Sequence, residues 1–440
     1  MSGSDEMRVH HGTMTYFNNM LEDVCMGHPE AMKLAGAHMS APAPHVFGRL
    51  FPAAPPPADV DVYIEKLVQL AELMKETGSQ AELGNAPAGF AFFGQFIDHD
   101  LTLDATTELG KVAGDPSKIE NFRTPRFDLD SVYGSGPEVS PHLYGQKGAE
   151  AFTLLLGTDS NPHDLQRNRV GRAIMGDPRN DENLIVSQIH GNEFIALHNK
   201  ELVKARSGTE ATLEEFREAQ EAVRKEYRRR IVEEFLPAVV TADVLTPLLD
   251  DFQNGTLPNK PINWNLAPDM PVEFSAAAFR FGHSMIPNEL QINKNKTVGL
   301  FKIGGFAPVA VENNVNLDLF FNWNPSVTPQ MARKIDTKLV KALLELPEEI
   351  VGMTGEKNLA VRNMVRGQIT YSIPSGDWIA NEYFSGAINT HPFIEEVGLE
   401  GNTPLWFYIL AEAELCGGKL GPVGGTLVAG TILNLMLRAP

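Results

Sequence analysis

Helical periodicity dominates this chain of 440 residues, and strand signals are sparse, so a sheet-based core is not expected. Ile64, Leu67, Val68, Ala71 and Met74 recur at the spacing that lines one face of a helix, with Gly78 as a natural stop. Residues 211–240 repeat the pattern with Phe216, Val223, Tyr227 and Ile231, and the charged opposite face reads as solvated surface. Residues 298–303 and 369–373 are short strand candidates, enough for small hairpins. No repeat with the period of a solenoid or propeller stands out. The pattern predicts a mainly α fold: a single large helical domain over residues 61–440 with few short strands. An extended N-terminal arm over residues 1–60 precedes it, because residues 41–58 hold six prolines.

Charge and cysteine content narrow the function. With 37 basic and 56 acidic residues the net charge is −19, which disfavours nucleic acid and anionic membrane surfaces. Two cysteines, Cys25 and Cys416, exclude a disulfide framework and a Cys-rich zinc or iron–sulfur site. The first sixteen residues carry acids and two histidines where a secretory signal needs a basic patch and an apolar run. Residues 423–437 are too short and too rich in glycine to span a bilayer. A soluble cytoplasmic protein is expected.

Chemistry concentrates in five short stretches. In GQFIDHD (94–100), Gln95 and His99 are four apart on a helix with Asp98 beside them, while Asp100 lies about 140° round the axis from Gln95. One turn thus presents an amide, a carboxylate and an imidazole together, although a polar helix end accounts for the same residues. RTPRFDLDSVYG (123–134) sets Thr124, Arg126, Asp128 and Asp130 at alternate positions. An extended loop of this kind suits a hard cation that wants roughly six to eight oxygens, and Asp100 can join it. GDPRNDEN (176–183) places Arg179 and Glu182 three apart where a helix begins, and acidic residues favour any helix N-terminus. FRFGHS (279–284) holds Arg280 and His283 in an apolar run, and LAVRNMVRG (359–367) offers Asn363 and Arg366.

Together, in this order, the five stretches resemble the animal-type haem peroxidases of the peroxidase–cyclooxygenase superfamily, in the form of a bacterial-type minimal member. PLWFYILAEA (404–413) and GKLGPVGG (418–425) also resemble the end of that family, so the likeness covers about residues 85–435. It implies haem b as cofactor, hydrogen peroxide or an organic hydroperoxide as oxidant, and small donors such as phenolics, bromide, iodide or thiocyanate. It implies His283 as the iron ligand with Asn363 accepting its proton, and Arg366 and Arg280 toward the haem propionates. His99 becomes the acid–base on the other side, with Arg179 and Gln95 lining that cavity. Asp98 and Glu182 match the carboxylates that esterify haem. Asp100, Thr124, Arg126, Asp128 and Asp130 match calcium ligands.

The residue types suit the reaction. Peroxide must lose a proton to bind iron, and its outer oxygen must regain one to leave as water, which a neutral imidazole can do both ways. A permanently charged arginine stabilises charge as the O–O bond breaks. Two departures narrow the expectation. Asn183 stands where the most oxidising relatives have a methionine bonded to haem, which argues against strong chloride oxidation. Arg280 stands where the dioxygenase branch has its radical tyrosine, three residues before the proximal histidine, and no tyrosine occurs from 272 to 282. A lipid hydroperoxide-transforming or fatty-acid oxygenase remains the main alternative, and a non-catalytic binding protein on the same scaffold the second.

Overall fold

The computed structural model describes residues 45–77, 82–302, 305–351 and 355–439. Most of the proposed arm, and the stop at Gly78, lie outside the described residues. From residue 45 the run packs on the domain as far as Phe51, whereas Pro52, Pro55 and Pro56 are exposed. Phe47 and Phe51 are buried, and the main-chain N–H groups of Leu50 and Phe51 donate to buried Glu273 at 3.0 and 3.2 Å.

The architecture is mainly helical. Helix α1 (Val60–Leu73) starts on Asp59, whose carboxylate accepts from the Val62 amide at 3.1 Å, and it buries Leu67, Leu70 and Ala71. Val68, expected on that face, is exposed instead, so the apolar stripe is narrower than the spacing suggested. Helix α2 (Gly89–Leu101) buries Phe90, Phe92, Phe93 and Phe96 as well as His99 and Asp100. It lacks a capping side chain, and its first amide donates to the carbonyl of Phe320 at 2.9 Å. That approach requires glycine: a Cβ on Gly89 would sit 2.5 Å from the Phe320 oxygen and against the Phe321 ring. Gly89→Ala is therefore expected to cost about 1–3 kcal/mol by overpacking. A thermal midpoint equal to that of the unaltered chain would reject this account.

Helix α3 (Leu213–Arg230) opens on a reciprocal cap between Thr212 and Glu215, buries Phe216, Val223 and Tyr227, and runs on through a wider turn, Ile231–Phe235. Two helices, α4 (Leu405–Leu415) and α5 (Pro422–Arg438), are buried along nearly all of their length. Both pack on the 3₁₀ segment Ala278–Met285, which also meets α2. Strands are confined to three two-stranded ladders among the described residues. Phe47–Gly48 runs parallel to Met270–Pro271, Leu83–Pro87 antiparallel to Met331–Arg333, and Glu289–Asn293 antiparallel to Lys296–Gly299.

One strand candidate is corrected. Residues 369–373 form no strand: Leu359–Val365 is helical and passes into a widened helical turn, Arg366–Thr370. Ile369, Thr370, Tyr371 and Ile373 are all buried, so the apolar spacing that reads as a strand serves a helix end sunk in the core. The other candidate, 298–303, contributes only its first residues to the hairpin.

Candidate active site

A cavity of ≈ 550 Å³ opens between α2, the 3₁₀ segment and the 359–370 helix. Gln95, Asp98, His99, Glu182, Arg280, His283, Asn363 and Arg366 all line it, with apolar walls from Phe90, Phe279, Phe281, Leu300, Phe301 and Leu346. Local geometry explains the convergence. Residues three apart eclipse in a 3₁₀ helix, which turns Arg280 and His283 the same way. On helical turns, spacings of three and four place Asn363 with Arg366 and Gln95 with His99.

Two imidazoles face this space. His99 is almost fully buried and its Nδ1 lies 2.8 Å from Oδ1 of Asn180. Burial, reinforced by the charge of Arg179, pushes its pKa down to about 4, so the ring is neutral at pH 7. His283 turns its exposed part to the cavity; burial and then Arg280 push it down to about 3. Its Nδ1 lies 3.0 Å from Asn363, but the amide is turned opposite to expectation. Nitrogen faces the imidazole because the amide oxygen accepts from Arg280 Nη1 at 3.2 Å.

Arg280, Arg362 and Arg366 are buried around one part of the cavity. Burial, followed by the charge of Arg366, lowers Arg280 well below the usual range and Arg362 to about 10. Burial also lowers Arg366, whose Nε has no hydrogen bond. Gathering cations away from water is costly unless an anion meets them. Also lining the cavity, Gln95 donates from Nε2 to Glu182 Oε1 at 2.5 Å and its oxygen accepts from Asn183 at 2.9 Å. Glu182 Oε2 has no hydrogen bond, and burial pushes this carboxyl up to about 7.

Arg179 differs from expectation: it is buried but does not line the cavity. Its guanidinium is held 2.7 Å from buried Asp177 and donates to the carbonyl of His99 at 2.8 Å, leaving Nη1 without a partner. Neutralisation of a buried charge decides this orientation. Burial alone would raise Asp177, yet Arg179 and Arg123 hold it far below the carboxylate range.

Behind α2 the acidic loop meets the helix. Ligand oxygens of Asp100, Asp128 and Asp130 all lie within 4.8 Å of one another. Both oxygens of fully buried Asp100 lack a hydrogen bond of good geometry, although the Tyr227 hydroxyl lies near. Burial and mutual repulsion raise Asp100 strongly, and burial raises Asp130 to about 7. Thr124 joins the cluster, its hydroxyl donating to Asp128 at 2.9 Å. Arg126 sends its guanidinium to the Arg438 carbonyl, while its own carbonyl receives Arg228 at 3.5 Å. The loop is bent rather than evenly extended, since Phe127 and Leu129 adopt left-handed φ of 52° and 58°. Arg123 links this cluster to Asp177, 3.2 Å from Asp130 and 3.3 Å from Asp177.

Sequence reasoning missed Asn180, His190, Asp177 and Arg362. Each sits inside or near a motif already singled out, but nothing in its spacing marked it. Asn180 is fully buried and contacts both His99 and His190.

The family model described as animal haem peroxidase matches residues 107–368. Among solved structures, peroxidase A from Dictyostelium discoideum aligns with a TM-score of 0.63 at 17% identity, over 90% of this chain and 89% of that one. Fatty acid alpha-dioxygenase from Arabidopsis thaliana aligns at 0.61 and 14% identity, over 90% of this chain and 72% of that one. The Oryza sativa fatty acid alpha-dioxygenase aligns at 0.62 and 14%, over 89% and 75%. No curated protein matches the chain in sequence.

Proposed function

The chain belongs to the animal haem peroxidase family, and from that premise we propose that it is a haem-dependent peroxidase, reducing hydrogen peroxide while oxidising small donors such as phenolics, bromide, iodide or thiocyanate. The observation that carries the reading is the meeting, in one cavity, of two neutral imidazoles and three buried arginines from separate parts of the chain. An anionic porphyrin suits this set: its carboxylates would add negative charge beside Arg362 and Arg366, and the unpartnered Nε of Arg366 would gain an acceptor. Bound haem would supply the iron that passes electrons from donor to peroxide.

His283 would ligate the iron through Nε2. That leaves a proton on Nδ1, so Asn363 must offer it the amide oxygen and release Arg280 toward the anionic edge of the cofactor. His99, neutral and at the cavity wall, takes a proton from peroxide and returns it to the departing oxygen, which leaves as water. Arg179, paired with Asp177, holds the His99 carbonyl and so fixes the main chain that carries the base. Gln95, tied to Glu182 and Asn183, is a fixed amide facing the incoming oxidant.

Asp98 and Glu182 border the cavity, and we assign them as the carboxylates available for ester links to haem. Asp98→Ala and Glu182→Ala are each expected to lower the fraction of haem that survives acid–organic extraction after peroxide turnover. Complete extraction from the unaltered chain under all turnover conditions would reject this assignment. Calcium is the ion we assign to Asp100, Asp128, Asp130 and Thr124, a hard oxygen set holding a carboxylate with no hydrogen bond. Through Arg123 and Asp177 the same ion would steady Arg179 and the main chain of His99. At about 100 times its dissociation constant calcium should add about 2.7 kcal/mol of stability. Elemental analysis without calcium, and a thermal midpoint unmoved by chelator, would rule it out.

Fatty-acid oxygenation is the second reading, favoured by the apolar wall of Leu300, Phe301, Leu343 and Leu346. Among the described residues no tyrosine lines the cavity, so the phenol that such chemistry would use is not supplied there. Absorption spectra of the haem-loaded chain with and without peroxide, followed by a panel of donors, fatty acids and their hydroperoxides, test both readings. Peroxide consumption coupled to donor oxidation supports the first. A haem-loaded chain inert to peroxide removes it.

A further inference from the structure

We propose that Asn180 is a positioning residue which, itself oriented by His190, holds His99 in the tautomer whose Nε2 is bare toward the cavity. The inference rests on the reading of His99 as the group that takes the peroxide proton. Asn180, His99 and His190 are all at most 1% exposed, so water does not compete for their polar atoms. Oδ1 of Asn180 lies 2.8 Å from Nδ1 of His99, and Nδ2 lies 3.1 Å from Nδ1 of His190.

The direction of these bonds follows from the atoms. An amide oxygen only accepts, so the first contact requires that His99 Nδ1 carry the ring proton. A neutral imidazole has one N–H, and Nε2 is then an acceptor. The amide nitrogen only donates, so the second contact requires His190 Nδ1 to be bare, with its proton on Nε2. Turned end for end, the amide would donate to His99 and drive the His99 proton onto Nε2. That would occupy the lone pair needed for base catalysis.

Turning the amide would oblige His190 to carry its own proton on Nδ1, so the orientation of Asn180 and the tautomers of both imidazoles are coupled. The His190 ring is itself packed edge-on to Phe96 of α2, 6.3 Å between centroids. The turn that carries Asn180, Pro178–Asp181, is fixed as well: Asp177 caps it by accepting from the Arg179 amide at 2.9 Å. One short turn therefore holds the His99 carbonyl through Arg179 and the His99 ring through Asn180.

Nitrogen-15 NMR of the haem-free chain, labelled at its 12 histidines and assigned by loss of a signal in His99→Gln, reads the tautomer directly. The unaltered chain should show His99 protonated at Nδ1. Asn180→Leu, similar in shape but without polar atoms, should give a mixture of tautomers. His190→Phe should do the same although His99 and Asn180 are both intact, which a merely structural role for His190 would not produce. Asn180→Asp keeps an acceptor for Nδ1 and should restore the single tautomer. In the haem-loaded chain the rate of reaction with peroxide should fall about 2- to 10-fold in Asn180→Leu, as roughly half to nine-tenths of the rings lose the bare Nε2, well short of the about 10⁴ lost where a base is held wholly in the wrong tautomer. A His99 proton on Nε2 in the unaltered chain, or a tautomer unmoved in both variants, overturns the proposal. Failure of the unaltered, haem-loaded chain to react with peroxide would instead defeat the functional reading, leaving the tautomer result to stand by itself.

Discussion

His99→Gln, loaded with haem, is expected to react with hydrogen peroxide about 10²–10⁴ times more slowly than the unaltered chain, the range that a positioned acid–base contributes. Glutamine keeps a polar side chain of similar reach but has no lone pair that accepts a proton near neutrality. Burial holds the His99 ring neutral, so at pH 7 essentially every molecule of the unaltered chain carries a competent base. Haem content and the absorption spectrum should be unchanged, because His99 is not the ligand in this reading. Stopped-flow rates within a factor of about three of the unaltered chain would remove His99 from the reaction, as so small a change lies below what acid–base catalysis supplies.

His283→Ala should lose haem altogether, or hold it without its characteristic spectrum. Removing a hydrogen-bonded partner of a ligand costs about 10–100-fold in affinity, and removing the ligand itself should cost more. The cavity would otherwise survive, since Arg362, Asn363 and Arg366 are carried by the 359–370 helix and Arg280 is held by the Ser275 carbonyl at 3.1 Å. Imidazole added to the medium should then restore part of the spectrum by occupying the vacated position. A His283→Ala chain that retains a full complement of haem through gel filtration, with the spectrum of the unaltered chain, would displace His283 as ligand. Asn363→Ala separates the two contributions. It should weaken haem retention less than His283→Ala, because Nδ1 loses its partner while the ligand atom remains.

The sequence was most legible where function and helix period coincide. Gln95 with His99, Arg280 with His283, and Asn363 with Arg366 are spaced so that any helical turn brings each pair to one side, and each pair does reach the cavity. Residues 369–373 were misread because short apolar runs look alike in a strand and in a buried helix end; burial of Ile369 and Ile373 in the core decides between them. Val68 was misread for a similar reason, since helical spacing says which residues share a face but not how wide a neighbour covers it.

Charge was the least legible property. Arg179 was expected at the cavity wall but turns onto Asp177, because a buried guanidinium takes the nearest carboxylate. The Asn363 amide is turned by Arg280, a residue eighty-three positions away. Neither choice is visible in a motif, because both depend on which groups share a site without water.

The mainly helical class and the pairings of Gln95 with His99, Arg280 with His283 and Asn363 with Arg366 were settled by covalent spacing alone, since the pitch of a helical turn is a local property. Tertiary structure decided the rest: that these turns share one cavity, that its arginines crowd together, and that Asn180 joins two distant imidazoles. Those facts follow from packing and from the loss of water, which bring remote residues together and make each buried polar atom choose a partner.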